Sequence, residues 1–383
     1  MTKECPQRGR IRPNEKNVIY DEARLQEYWC LFLRDRRWSI KQKRALLSHF
    51  KCVSKILNAS CAQTNEIVKS KPKNTVSAID PMQIHDDLKW LSLPYNELIT
   101  IQDSRYPKVL LELPDPPLAL FTSGDLRLLG DPAVAIVGSR RPTPIGAKVA
   151  KDISSGLARL GIVIVSGMAL GIDGLVHQAA RDVDGGTIAV MGCGLDVVYP
   201  VRNTGLYAQI KSKGLLVSEF TLGTRPTKYT FPMRNRIVSG LAYGVVIVEA
   251  AKKSGTLITA SFANEQNKEV MVVPGSVLST QYAGSHELIS NGAALISSYQ
   301  NVLECLSGPL SHVILRTTEK SSEKSEQSTK HPILQFIGAE STSVDAIVLS
   351  SGLTTADVSS ILLDLELNGF VAATQEGGYI NLS

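Results

Sequence analysis

Apolar residues recur along this chain in two rhythms, and the change between them marks its regions. From Asp21 to about Leu91 the rhythm is helical. Leu25, Tyr28, Trp29, Leu31 and Phe32 repeat at three and four residues, as do Ala45, Leu46, His49 and Phe50. From about 131 short apolar, β-branched runs take over. They fall near 134–137, 163–166, 187–191, 215–219, 245–249, 270–273 and 294–296. Helical patterns separate them over 145–160, 172–181, 203–213, 234–243 and 256–267. Strand and helix in alternation predict a parallel sheet covered on both faces. The unbroken run Val245-Val246-Ile247-Val248 predicts a buried central strand.

The rest of the chain departs from that alternation. Residues 1–20 are basic and poor in apolar side chains, which predicts a disordered arm. The polar stretch within 307–331 predicts a linker. Beyond it, Ile333–Gly338, Ser343–Ser350 and Thr355–Asn368 read as three helices. Phe370–Thr374 and Tyr379–Leu382 flank Gln375-Glu376-Gly377-Gly378 as a hairpin. Three helices and a hairpin make a winged helix over 332–383. The expected fold class is therefore α/β. A small helical domain (21–92) and a lead-in (93–130) precede a Rossmann-like core (131–306), and the winged helix ends the chain.

Charge divides along the same lines. Of 383 residues, 41 are Lys or Arg and 36 Asp or Glu, a net +5. Residues 1–75 carry 17 basic against 7 acidic groups, whereas 331–383 carry 6 acidic groups and no Lys or Arg. A basic front end suits nucleic acid and an acidic back end repels it. Within the helical region, Arg36, Arg37, Lys41, Lys43 and Arg44 either attract phosphate diffusely or form a solvated face. The glycines of a helix-hairpin-helix turn are missing there. No apolar run approaches the roughly twenty residues of a membrane span, and the N-terminus lacks a signal-peptide core. Six cysteines without a CxxC pair point to a reduced, cytoplasmic protein with no metal site. Cys193 follows a strand with no base beside it, as a packing residue would.

The candidate chemistry lies just after the core strands. Phe231-Pro232-Met233-Arg234-Asn235-Arg236 puts an aromatic ring and two guanidinium groups at a helix start, where free N–H groups favour anions. Two arginines make a phosphate site and Phe231 offers a face for a base. Because they lie two apart they cannot share one helix face, so a single contact is as consistent as two. Gly138-Ser139-Arg140, Ser166-Gly167, Tyr199-Pro200-Val201-Arg202-Asn203 and Ser254-Gly255-Thr256 likewise end apolar runs. In an open parallel sheet these ends meet at one edge, the ligand-binding edge. Lys228 and Tyr229 extend the track. Asp173 and His177, one turn apart, form either a catalytic pair or a helix-end carboxylate and a core imidazole. Gly138 and Gly146 are too far apart for a dinucleotide fingerprint.

Together these segments resemble the DNA-processing protein A family, also called Smf. The strand-GSR opening, SGxAxGID, YPxxN, FPxRNRIxxGL and the SGT turn occur in its order, and Asp103-Ser104-Arg105-Tyr106-Pro107 and Pro116-Pro117-Leu118 fit its lead-in. The resemblance covers about 131–306 closely. It implies a homodimer that binds single-stranded DNA, protects it and loads the RecA recombinase onto it in natural transformation. It implies no catalytic activity and no cofactor. The expected DNA contacts are Gly138, Ser139, Arg140, Gly167, Arg202, Lys228, Phe231, Arg234, Asn235, Arg236, Ser254, Gly255 and Thr256. A candidate dimer surface is 284–295, with Leu288, Ile289, Ala293 and Leu295; burial of these residues within one subunit is the alternative. The competing resemblance is to the lysine-decarboxylase-like family that hydrolyses nucleoside monophosphates. Its PGGxGTxxE motif keeps only Gly255-Thr256 here, and the catalytic glutamate is missing.

Overall fold

A computed structural model describes residues 15–69, 79–308, 310, 332–338, 340–367, 369–374 and 377–382, with side chains from Arg24 onward. The arm expected over 1–20 lies outside the described residues as far as 14. From Glu15 the chain is already helical, in α1 (Glu15–Arg34). Four shorter helices follow: α2 (Ile40–Phe50), α3 (Val53–Asn58), α4 (Cys61–Val68) and α5 (Pro81–Leu91). Ser39 and Ser60 open α2 and α4 with capping boxes to Gln42 and Gln63, which satisfy the first free N–H groups.

One sheet of nine strands organises the rest. Its members are β1 (Asn96–Thr100), β2 (Ala119–Gly124), β3 (Ala133–Gly138), β4 (Val163–Ser166), β5 (Thr187–Val190), β6 (Leu215–Ser218), β7 (Gly244–Val248), β8 (Glu269–Val273) and β9 (Ala294–Leu295). They lie in the order β1-β2-β6-β5-β4-β3-β7-β8-β9. The seven strands expected from the sequence are all present and pair in parallel, with Ile136 beside Val246 and Ile164 beside Thr187. β1 and β2, which the sequence reading missed, add an antiparallel edge. With the short helix α6 (Lys108–Leu111) between them, they make the lead-in part of the sheet rather than a connection to it.

Alternation along the strands sorts the core into two faces. Val134 and Ile136 pack with Ile153 and Leu157 of α7 (Pro144–Arg159) and Val176 of α8 (Ile172–Asp182). Ala133, Ala135 and Val137 face the other way, toward Ile237 and Val238 of α10 (Thr230–Gly240) and Ala260 of α11 (Gly255–Glu265). Between α8 and α10 in sequence, α9 (Thr204–Lys213) packs Tyr207 and Ile210 with Leu216 and Phe121, and Trp29 and Phe32 of α1 and Trp38 of the α1–α2 turn join the same cluster. Arg34 clamps this region, pairing with Asp87 at 2.6 Å and donating to the Leu222 carbonyl at 3.0 Å. Chain order reverses between β3 and β7, so the crevice at their carboxyl ends is the topological switch point.

The C-terminal unit is a winged helix. Pro332–Phe336 forms a 3-10 turn, Val344–Ser351 and Thr355–Leu367 are helices, and Val371–Ala373 pairs with Gly378–Asn381. Its hairpin tip, 375–376, and the linker 311–331 lie outside the described residues. No single helix among the described residues is long and apolar enough to cross a membrane. A bent pair passes on length and composition, but it is these two helices, whose Ile347, Val358 and Leu362 fill the unit's own core.

Candidate nucleic-acid interface

The strand ends at the switch point open onto a cleft of about 860 Å³. Its floor is built by glycines and small polar groups. Gly138 ends β3, where a Cβ would meet the Val248 carbonyl at 1.9 Å and Ile172 at 2.8 Å. Glycine is therefore required there for close strand packing. Gly171 has φ +76° and lies against the Ser139 carbonyl, so both backbone and space require glycine. Asp173 Oδ2 accepts from the N–H groups of Gly167 and Ala169, at 3.2 and 3.3 Å. Asn203 Nδ2 donates to the carbonyls of Met168 and Ala169. Together these bonds fix the 167–171 loop beneath the cleft.

Aromatic rings and cations form the walls. Phe231 lies 5.5 Å from Tyr199, centroid to centroid, and Arg140 stands 5.9 Å over its ring. Helix α10 begins four residues before its expected start. Pro232 falls in its first turn, where the missing N–H costs nothing. This turn carries Phe231 into the cleft. Lys228, exposed, lies 5.1 Å over Tyr229. Across the cleft Ser254 caps α11 by accepting from the Thr256 N–H at 3.1 Å, and Thr256 Oγ1 donates to the Gly138 carbonyl. Asn235 Nδ2 reaches the Gly255 carbonyl at 3.5 Å. Ser139, Gly167 and Gly255 also line the cleft.

The two arginines of α10 diverge, as their spacing requires, and neither is free. Arg234 lines the cleft but is only 5 % exposed, and its guanidinium donates to the carbonyls of Gly167 and Val190 at the sheet edge. A Cβ on Gly167 would strike that guanidinium at 2.7 Å. Arg236 corrects the sequence reading. It points away from the cleft into a buried ion pair with Glu219 and meets Asp115 at 3.3 Å. Arg202 also falls outside the lining, exposed on a 3-10 turn, Val201–Asn203. Conversely, the cleft contains Arg141, Lys253 and Tyr199, which the reading of contacts left out. Their signal was adjacency to Arg140, Ser254 and the Tyr-Pro turn.

The acid–base alternatives resolve toward structure. His177 is fully buried, its Nδ1 bonded to Thr187 Oγ1 at 2.7 Å, and burial pushes its pKa down to about 3. It is a core imidazole, and Asp173 is a loop-holding carboxylate. Burial likewise pushes the Cys193 thiol up to about 11, away from nucleophile chemistry. Among the described residues no group of three or more His, Cys, Asp or Glu is placed to hold a metal ion. Of the N-terminal basic run, Lys43 is buried on the Leu33 carbonyl, Arg37 pairs with Asp35, and Arg44 reaches Asp115; Arg36 and Lys41 stay exposed.

Residues 97–307, more than half of the chain, match the family model of the DNA recombination-mediator protein A. The chain belongs to this family. As a member of the DNA-processing protein A (Smf) family it also matches the DprA winged helix domain over 317–377. It is 40 % identical over 304 residues to Protein Smf of Escherichia coli, covering 78 % of this chain and 81 % of that protein. It is 46 % identical over 204 residues to DNA processing protein DprA of Streptococcus pneumoniae, covering 53 % and 72 %. The X-ray structure of DprA from Streptococcus pneumoniae superposes with a TM-score of 0.64 at 36 % identity, over 73 % of this chain and 97 % of that one. A Helicobacter pylori DNA processing protein A structure, described for its single-stranded DNA binding mode, gives 0.50 at 36 % identity, over 55 % and 95 %.

Proposed function

We propose that this DNA-processing protein binds single-stranded DNA without sequence preference in the switch-point cleft. It protects incoming DNA and loads the RecA recombinase onto it during natural transformation, as a homodimer and without catalysis of its own. One observation carries the reading. Arg140, Arg141, Lys228 and Lys253 line the same cleft as Phe231 and Tyr199, and none has an ion-pair partner among the described residues. By contrast Arg34, Arg37, Arg105, Arg127 and Arg236 are held by carboxylates. Unpaired cations in a cleft lined by aromatic rings suit a charged backbone with stackable bases. The Helicobacter pylori relative's single-stranded DNA binding mode supports the same reading. A nucleotide hydrolase would need an unengaged carboxylate beside Thr256, and the two cleft carboxylates, Asp173 and Glu249, are both bonded to backbone N–H groups. Titration with labelled oligo-dT and with AMP tests the proposal. Saturable, salt-sensitive oligo-dT binding supports it, and turnover of AMP would replace it.

The homodimer would gather two clefts onto one strand and raise avidity without new contacts. Leu288, Ile289 and Ala293 are partly buried against the subunit's own core, whereas Leu295 is 56 % exposed on the edge strand β9. Leu295 is therefore the residue of the four with most apolar surface left to bury. Leu295→Glu is expected to yield monomers by light scattering at micromolar concentration while the far-ultraviolet spectrum stays unchanged. A wild-type protein that is monomeric there removes the dimer from the proposal.

The winged helix would not bind duplex DNA. A recognition helix at Thr355–Leu367 presents exposed Asp357, Asp364 and Glu366, with no Lys or Arg anywhere in 331–383 to neutralise phosphate. Deleting 331–383 is expected to leave oligo-dT affinity unchanged or slightly raised. A clear loss of affinity in that titration would overturn the charge argument.

A further inference from the structure

Glu249 follows the central strand β7 at the switch point, and its carboxylate is buried in an unusual place. Its backbone sits at φ +57°, a left-handed conformation rare outside glycine and asparagine. The residue is fully buried yet lines the cleft floor. Both carboxylate oxygens accept from the Thr143 N–H, at 3.1 and 3.0 Å, and the Thr143 hydroxyl donates to Oε1. Tyr282 donates its hydroxyl to the same oxygen at 2.8 Å. Thr143 is the N-cap of the sixteen-residue helix α7, and the carboxylate presses on its first turn so closely that a Cβ on Gly146 would lie 2.0 Å from Oε1.

This is the position where the first helix after the first strand of a nucleotide-binding sheet receives a ligand phosphate. It offers what an anion needs: a backbone N–H, two hydroxyl donors, a glycine that leaves room, and the positive end of a helix. Here the anion is supplied by the chain itself. We propose that Glu249 is an internal substitute for a ligand phosphate, and that its occupancy makes the cleft refuse phosphate and free nucleoside monophosphates at the α7 N-terminus. The phosphates of a polynucleotide would then be held by the rim cations, Arg140, Arg141, Lys228 and Lys253. The inference refines the proposed DNA site by naming what it excludes, and it rests on that reading only for this last step.

The consequence is a gain of binding on removal of the side chain. Glu249→Gly suits the left-handed backbone, vacates the site and removes the charge. Glu249→Asn tolerates the same backbone and draws the neutral side chain back by one carbon. Glu249→Gln removes the charge but still fills the space. Calorimetric titration of the full-length proteins with inorganic phosphate and with AMP, and the amide signal of Gly146, would report the site. Glu249→Gly and Glu249→Asn are expected to bind phosphate at least about tenfold more tightly than the wild type, because they remove the like charge and also vacate the space that Glu249→Gln still fills. The Gly146 signal should shift with saturation, and Glu249→Gln should stay like the wild type. Folded Gly and Asn variants that gain no phosphate binding overturn the proposal. So does a wild type that binds phosphate equally, or a gain that leaves Gly146 unmoved. Oligo-dT binding by the wild type is read separately, so failure of the DNA proposal would leave this test intact.

Discussion

Arg236→Ala is expected to destabilise the protein by about 3–5 kcal/mol, the cost of leaving one partner of a buried ion pair uncompensated. Arg236 and Glu219 are 5 % and 7 % exposed, so water cannot take over the lost interaction. Burial already pushes the Glu219 carboxyl up to about 7 from 4.5, while Arg236 pulls it down. A carboxyl raised in the folded state lends stability that is complete below its unfolded value and fades as pH rises through its folded value. For Glu219 that window runs from about 4.5 to about 7 in the wild type. Without Arg236 the upper limit moves higher, so the variant's deficit should be larger at pH 8 than at pH 5. Urea unfolding at both pH values measures this. Adding Glu219→Gln to Arg236→Ala should restore most of the loss at pH 8. A pH-independent deficit, or no rescue, would show that packing rather than the orphaned charge dominates.

That pair also shows where reading the sequence runs out. Strands β3 to β8 were legible because each is an apolar run long enough to be buried on both faces, as in Val245–Val248. The convergence of Gly138, Arg140, Gly167 and Ser254 followed, since parallel strands must present their carboxyl ends together. β1 and β2 escaped notice because Asn96–Thr100 and Ala119–Gly124 mix polar and apolar residues between prolines, and only the pairing of β2 with β6 and of β1 with β2 makes them strands. The fate of each arginine was not legible either. Spacing required Arg234 and Arg236 to part, but their partners are a carbonyl pair on other strands and a glutamate seventeen residues upstream. Glu249 carries no local signal at all. It follows β7 like any loop residue, and its meaning comes from Thr143 and Tyr282, which the fold brings from 106 and 33 residues away.

Arg140→Ala is expected to weaken oligo-dT binding by about ten- to a hundredfold, the usual worth of a hydrogen bond to a charged group. Arg140 is exposed, has no ion-pair partner among the described residues and stands over Phe231, so the loss should come without loss of stability. Its contribution is separable by salt. Each phosphate contact on a single strand adds about 0.7 to the slope of log affinity against log salt. Arg140→Ala should therefore flatten that slope by about this amount, whereas Arg140→Lys should keep the slope and lose only the two-pronged grip. Phe231→Ala should cost a similar factor, by loss of stacking, with the slope unchanged. Arg202→Ala, outside the cleft lining, should change neither quantity. If Arg140→Ala binds like the wild type at low salt, the strand does not run past Arg140. A loss in Arg202→Ala greater than in Arg140→Ala would move the track to the outer side of the Tyr199–Pro200 turn.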